Sequence, residues 1–425
     1  MQRACIALVL SLSFSTAYAA DIALVGSAAI PGTAFDRSAL TGTIHTNDGQ
    51  DLELPNNLFG SAGSAIEYTG TNDLYLMASD RGPNDGNAQY RDRVHVVRLA
   101  VHPGTATPLA ASIIETTLLA DQSGTPFTGS SAAFAANGKP ALRLDPEGVR
   151  MAHDPAAPGD FWISDEYGPY LYRFNHEGHR VAAINLPVGF TPVSPSADAD
   201  QEMSTNPTGR ITNRGMEGLA ITPDGRTLVG LMQNALLQDH ALDAAHKRIS
   251  TFTRLITIRL ADGETHQYVY PLDSIKNGCN EILAINDREF LVVERDSTVG
   301  ADSASKKIYR INLTNATDIS RSFEVEGKTI DYSGTTAANG LPAAGPLQGV
   351  HLITKESFID LLDPAFKLAG KDFPEKIEGL AWGPDFDNGD KLLIVASDND
   401  FATANPTCFF AFRIAHLQSL RAANP

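Results

Sequence analysis

What most constrains this chain is a pattern that returns five times along its 425 residues. Each copy opens with an acid or small residue ahead of a short apolar strand and passes a turn. It then climbs a second apolar strand that ends in an acidic or amide cluster, and a third strand follows. The copies are "AGSAIEYTGTNDLYLMASDRGPNDG" with "RVHVVRLAV"; "DPEGVRMAHDPAAPGDFWISDEYGPY" running into "YLYRFNHEG"; "MEGLAITPDGRTLVGLMQNALLQD" with "RLITIRLADG"; "NEILAINDREFLVVERDSTVG" with "KIYRINLTN"; and "IEGLAWGPDFDNGDKLLIVASDND" with "CFFAFRIAH". Behind the first four trail "ASIIETTLLA", "HRVAAINLP", "ETHQYVYPL" and "ISRSFEVEG", each expected to be a fourth strand.

Turn signals sit between the first two strands, the strongest being the type I′ pair Asn388-Gly389. Four antiparallel strands repeated along a chain describe β-propeller blades, so the expected fold is all-β, a single β-propeller. The alternative, two packed β-sandwiches, gives no reason for acids to recur at matching strand positions. The last copy lacks a fourth strand, and "DIALVGSAAI" (21–30) is expected to supply it and close the ring. Spacings between the equivalent positions Ala62, Glu147, Glu217, Glu281 and Glu378 are 85, 70, 64 and 97 residues. These exceed a minimal blade of about 40–50 residues, leaving room for a sixth blade in the largest gaps. In the last gap "TKESFIDLLDPAF" predicts a short helix capped by Thr354. No linker divides residues 21–425.

Residues 1–20 carry Arg3, the apolar run "CIALVLSLSF" and the small-residue site "AYA", the parts of an export signal. No later segment is apolar enough for a membrane span. The formal net charge is −17, and removal of the signal takes away one Arg and no acid, giving −18. So acidic a protein is repelled by nucleic acid and anionic membrane surfaces and suits cations. Cys279 and Cys408 remain; in an oxidising compartment they are either a disulfide joining two blades or two free thiols, and spacing does not choose. A monomer is expected.

Strands joined by a hairpin run antiparallel, so the start of strand one and the end of strand two share an edge. Glu147 therefore lies with Asp165 and Glu166, Glu217 with Gln233 and Asn234, Glu281 with Glu294, Arg295 and Asp296, Glu378 with Asp398, Asn399 and Asp400, and Ala62 with Asp80 and Arg81. If first strands line the central axis, these groups converge on one mouth of the channel: eleven acids against Arg81, Arg214 and Arg295. Two carboxylates about 5 Å apart at an effective dielectric near 20 repel by roughly 3 kcal/mol. Cations or shared protons must offset this, and an all-oxygen donor set suits Ca²⁺ first and Mg²⁺ second. No His or Cys cluster has zinc spacing, and His153 is expected in core or hairpin. Asp154, Asp224, Asp385, Asp387 and Asp390 belong to turns. Neither G-x-S-x-G nor the glycine-rich nucleotide motifs occur.

The series "SDRGPN" (79–84), "DPEG" (145–148), "SDEYGPY" (164–170), "NRGMEGLA" (213–220), "NEILAI" (280–285), "VERD" (293–296) and "KIEGLAW" (376–382) resembles the exported phytase-like proteins, a family also described by the esterase-like activity of phytase. The resemblance implies a secreted or periplasmic β-propeller whose acids serve phosphoester hydrolysis. On that basis Glu147, Asp165, Glu217, Glu281, Glu294, Glu378 and Asp398 are expected to hold Ca²⁺ or Mg²⁺. Arg81 and Arg295 would clamp the phosphate, with Glu166 or Asp80 as general base. Asn84, Tyr167, Asn234 and Asp400 would face a small phosphoester; no basic pocket for a multiply phosphorylated inositol is evident. The competing reading is a non-catalytic propeller stabilised by calcium that binds a ligand or partner protein.

Overall fold

The computed structural model describes residues 21–134, 141–168 and 170–417; the expected export signal lies outside them. Among these residues five four-stranded antiparallel sheets form the blades of a propeller. The first blade runs outward as Ala65–Tyr68, Leu74–Ala78, Arg93–Val101 and Leu109–Leu118. The second is Pro146–Met151, Phe161–Asp165, Tyr170–Phe174 and Arg180–Asn185. The third is Met216–Ile221, Thr227–Met232, Phe252–Arg259 and Thr265–Pro271. The fourth is Gly278–Ala284, Glu289–Arg295, Lys306–Asn312 and Thr354–Asp360. The fifth is Lys376–Trp382, Lys391–Asp398, Thr407–Ala415 and, from the other end of the chain, Asp21–Ile30.

That last pairing closes the ring: Asp21 lies opposite Ala415 and Ile30 opposite Thr407. The innermost strands touch in sequence order, and the fifth returns to the first. The apolar core is divided accordingly into five large clusters, each filling one gap between neighbouring blades. Leu219 and Ile221 pack toward the second blade, while Ala220 between them packs toward the fourth. Alternation with period two therefore gives every inner strand two buried faces. Ring closure buries Ile394, Phe409 and Ala411 against Ile66 and Met77.

Three expectations fail. Among the described residues the long gaps hold no sixth blade; one contains the small hairpin Phe323–Val325 with Lys328–Ile330. The segment expected to be a helix is the strand Thr354–Asp360, paired with Lys306–Asn312. Residues 319–327, expected in that place, turn into the hairpin instead, leaving the donors and acceptors of Lys306–Asn312 open along one edge. Thr354–Asp360 satisfies them, burying Ile359, and the ladder outweighs the helix-like spacing of Phe358, Leu361 and Leu362. The cysteines are free, Cys279 buried in the fourth blade and Cys408 half-buried in the fifth. No described helix is long and apolar enough to cross a membrane.

Candidate active site at the mouth of the channel

Each inner strand from the second to the fifth blade carries a β-bulge near its start. The register slips between Pro146 and Gly148, Met216 and Gly218, Cys279 and Glu281, and Ile377 and Gly379. A bulge leaves one residue outside the ladder and re-aims its side chain. The residues so released are Glu147, Glu217, Asn280 and Glu378, and all four line one cavity of about 190 Å³ at the channel mouth. The residue after the bulge has a different task. A Cβ on Gly148 would lie 2.5 Å from Cβ of Leu219, and one on Gly218 2.9 Å from the backbone N of Ile282. The recurring Glu-Gly pair thus turns an acid into the mouth and lets the next blade approach.

Seven carboxylates and five cations line the cavity. Carboxylate oxygens of Glu147, Glu166 and Glu217 lie within 4.8 Å of one another, as do those of Asp80, Asp145 and Glu147, and of Asp80, Asp398 and Asp400. Glu147 belongs to two of these groups. It is 5% exposed, yet among the described residues its carboxylate has neither a hydrogen bond nor an ion pair. Burial, and then the charges of Glu217 and Asp80, hold it well above the usual carboxylate range. Glu217, raised in the same way by burial and by Glu166, accepts hydrogen bonds, among the described residues, from amides alone: Gln233 donates to one oxygen and Asn280 to the other at 3.5 Å. Burial pushes Asp80 up to about 7 against the pull of Arg81, and Asp398 to about 7 against that of Lys376.

Three of the five cations at the mouth are paired with its carboxylates. Arg81 Nη1 lies 2.6 Å from Asp145 Oδ2 and 3.4 Å from Glu166 Oε2. Arg295 is paired with Glu378. Lys376 reaches Asp400 at 2.9 Å, Asp398 at 3.4 Å and Asp80 at 3.6 Å. Glu166 Oε1 accepts from the N–H of Gly215 at 2.7 Å, which anchors it between the second and third blades.

Several expected residues lie elsewhere. Glu281 is not at the bulge; it occupies the place that glycine fills in Gly148, Gly218 and Gly379. Its Oε2 lies 3.0 Å from Arg150 Nη2, and its Oε1 accepts from the N–H groups of Ile282 and Leu219 at 2.8 and 3.3 Å. Glu294 is buried in a separate network, accepting from Tyr270 Oη and Asn277 Nδ2 and ion-paired to Lys355. Asp165 turns back into its own blade, accepting from the N–H groups of Asp145, Tyr167 and Gly168. Tyr167 is buried, its hydroxyl donating to Gly129 O at 2.6 Å. Asn84 is in an exposed turn with φ of 64°. Asn234 is buried beneath Arg214 and Arg248. Asp80, Arg81, Glu147, Glu217, Arg295, Glu378 and Asp400 do line the cavity, with Glu166 and Asp398 in the adjoining carboxylate groups. In the first blade Ala65 pairs with Ala78 as Gly379 does with Ala396, so Ser64 rather than Ala62 holds the bulge place.

Lys376, Asn280, Arg248 and Asp145 were not expected at the site. Lys376 was open to discovery, since it stands directly opposite Asp398 in the strand register. Arg248 comes from a loop whose sequence carries no repeat signal.

A five-bladed propeller with crowded, buried acids at the mouth of its channel defines the class. The chain belongs to the phytase-like family, described as "Esterase-like activity of phytase", whose model matches residues 58–401. It is 30% identical over 410 residues to an "Uncharacterized secreted protein" of Arthroderma benhamiae, covering 77% of this chain and 78% of that protein. Similar solved structures include the β-propeller domain of Cps50 (Swd1) from Myceliophteria thermophila, at 11% identity, 83% and 96% coverage and a TM-score of 0.33. The PQQ-bound aldose sugar dehydrogenase of Streptomyces coelicolor is similar at 10% identity, 92% and 99% coverage and a TM-score of 0.33.

Proposed function

We propose that this chain is an exported phosphoester hydrolase that works with a hard divalent cation, Ca²⁺ first and Mg²⁺ second, at the mouth of the propeller. The observation that carries the reading is Glu147: a buried carboxylate without a partner among the described residues, crowded by Glu166 and Glu217. Three crowded carboxylates offering only oxygen fit such an ion, and Glu147, Glu166 and Glu217 would hold it. When bound, it would acidify a water and offset charge on the phosphoryl oxygens. Asp80, pushed up to about 7 by burial, is suited to accept a proton near neutral pH. Arg81 and Arg295, engaged by Asp145 and Glu378, would hold those acids in place rather than clamp phosphate. Export is supported by the export-signal pattern of residues 1–20 and by the family relative described as secreted.

The test is turnover of an aryl phosphate and an aryl carboxylate ester by the chain lacking residues 1–20, with and without chelator, beside Glu147→Gln and Glu217→Gln. Expected is phosphate-ester hydrolysis abolished by chelation, restored by Ca²⁺, and reduced about 100-fold or more in Glu147→Gln. Calcium-dependent melting without turnover on a broad panel would replace this reading with that of a calcium-stabilised ligand-binding propeller. Hydrolysis indifferent to chelator and to both variants would overturn the site.

A further inference from the structure

We propose that Arg214 and Arg248 form an anion subsite that receives the substrate's phosphoryl group, and that the groove beside them takes an apolar organic group esterified to it. This rests on the hydrolase reading and names its substrate class.

The two guanidiniums stand apart from every other cation of the mouth. Arg81, Arg295 and Lys376 are each paired with carboxylates, whereas among the described residues Arg214 and Arg248 form no ion pair. Arg214 Nη1 donates only to neutral acceptors, Gln233 Oε1 at 3.1 Å and Asn234 Oδ1 at 3.3 Å. Arg248 donates to the same Asn234 Oδ1 at 3.1 Å and to the carbonyls of Asn277 and Lys276 at 3.0 and 3.1 Å. One amide oxygen therefore bridges two like charges, which fixes their separation without neutralising either. Such an arrangement is unfavourable until an anion joins it. Burial and the charge of Arg214 lower Arg248 to about 10, which leaves it cationic at neutral pH.

Position supplies the link to the reaction. Gln233 accepts from Arg214 with its oxygen and donates to Glu217 with its nitrogen, so a single side chain separates the subsite from the carboxylate trio. Arg214 and Arg248 also line a second cavity of about 440 Å³ next to the mouth. Met203, Ile211, Leu242 and Ile275 give that groove an apolar wall, Thr212, His246, Lys247 and Lys276 complete its lining, and among the described residues no carboxylate lines it. An anion held by the two arginines would have acids on one side and an apolar slot on the other. A phosphomonoester of an aryl or other apolar alcohol matches that order of environments; a bare polyphosphate leaves the slot empty.

Calorimetric titration of the metal-free chain with inorganic phosphate and with 1-naphthyl phosphate tests both parts. The naphthyl ester is expected to bind more tightly. Arg214→Gln, which sacrifices only two side-chain amide contacts, should weaken both ligands about tenfold or more, with Arg248→Gln doing the same if it folds. Leu242→Gln should weaken the naphthyl ester alone, by about fivefold. Unchanged binding in a folded Arg214→Gln overturns the subsite, and equal loss for both ligands in Leu242→Gln overturns the groove. If the binding results hold while no ester is turned over, the anion subsite stands and the hydrolase reading falls. If turnover depends on Glu147 but binding ignores Arg214, the reverse follows.

Discussion

Glu147 and Glu281 begin inner strands two blades apart and read alike in sequence, yet they live in opposite environments. Glu147 is thrown out of its ladder by a bulge and faces the mouth with no partner. Glu281 lies one place further along, after the bulge, and is enclosed by Arg150 and two backbone N–H groups. Arg150 itself donates to Ile66 O and Ile282 O and lies 3.6 Å from Glu67, so it ties the first, second and fourth blades together inside the channel. The mouth keeps like charges crowded and open to a ligand; the interior neutralises them. The difference teaches that acids in this ring are sorted by register, not by residue type.

The harshest way to break the comparison is to remove the interior cation. Above about pH 8, where both carboxyls are ionised, Arg150→Met would strand Glu281 and leave Glu67 without its partner, and unpairing a buried charge costs about 3–5 kcal/mol. Urea unfolding should show that loss, and adding Glu281→Leu should recover a large part of it. Full stability in Arg150→Met would mean that the interior is not neutralised as described.

Titration separates the two regions more gently. Burial raises Glu281 to about 8 and Glu67 to about 7, with Arg150 pulling the other way. A carboxyl with a folded pKa above its unfolded value binds its proton more tightly when folded. Its stabilising contribution is complete below about pH 4 and is lost as pH rises through the folded values. Unfolding free energy should therefore fall between about pH 5 and pH 8.5, by several kcal/mol, with Asp80 and Asp398 at the mouth adding to the fall, and the fall should be shallower in Glu281→Gln. An identical slope in that variant would show that Glu281 is already ionised at the lower pH.

Much of this was legible in advance, and the failures have physical causes. The blades, the closing strand Asp21–Ile30 and the gathering of acids on one edge follow from strand alternation and antiparallel pairing, which local sequence displays. The register of a bulge is not displayed. "MEGLAI" and "NEILAI" share Leu-Ala-Ile, but Ile282 packs toward the preceding blade as Leu219 does, so the matching letters are one place out of step. A shift by one residue exchanges every side chain's face, and the acid role passes to Asn280. Asp165 and Glu294 stand at the ends of their strands as the repeat demands, yet local N–H groups claim the first, and Lys355, from a distant segment, claims the second. Arg214 and Arg248 meet only through Asn234, a junction of three loops that no linear pattern records.

The smallest test acts on that misplaced letter. Asn280 donates to Glu217 at 3.5 Å and Glu378 at 3.4 Å, so Asn280→Asp exchanges a donor shared between carboxylates for another carboxylate. With chelator present the variant should melt slightly lower, by about 1–2 °C, because like charges are added without relief. With Ca²⁺ the melting temperature should rise further above its chelated value than it does in the parent chain, since the ion gains an oxygen donor. Glu281→Gln, one residue away but facing Arg150, should leave the calcium-dependent gap as it was. A gap widened by neither change, or narrowed by Glu281→Gln instead, would place the cation inside the channel and make the bulge ring a bystander.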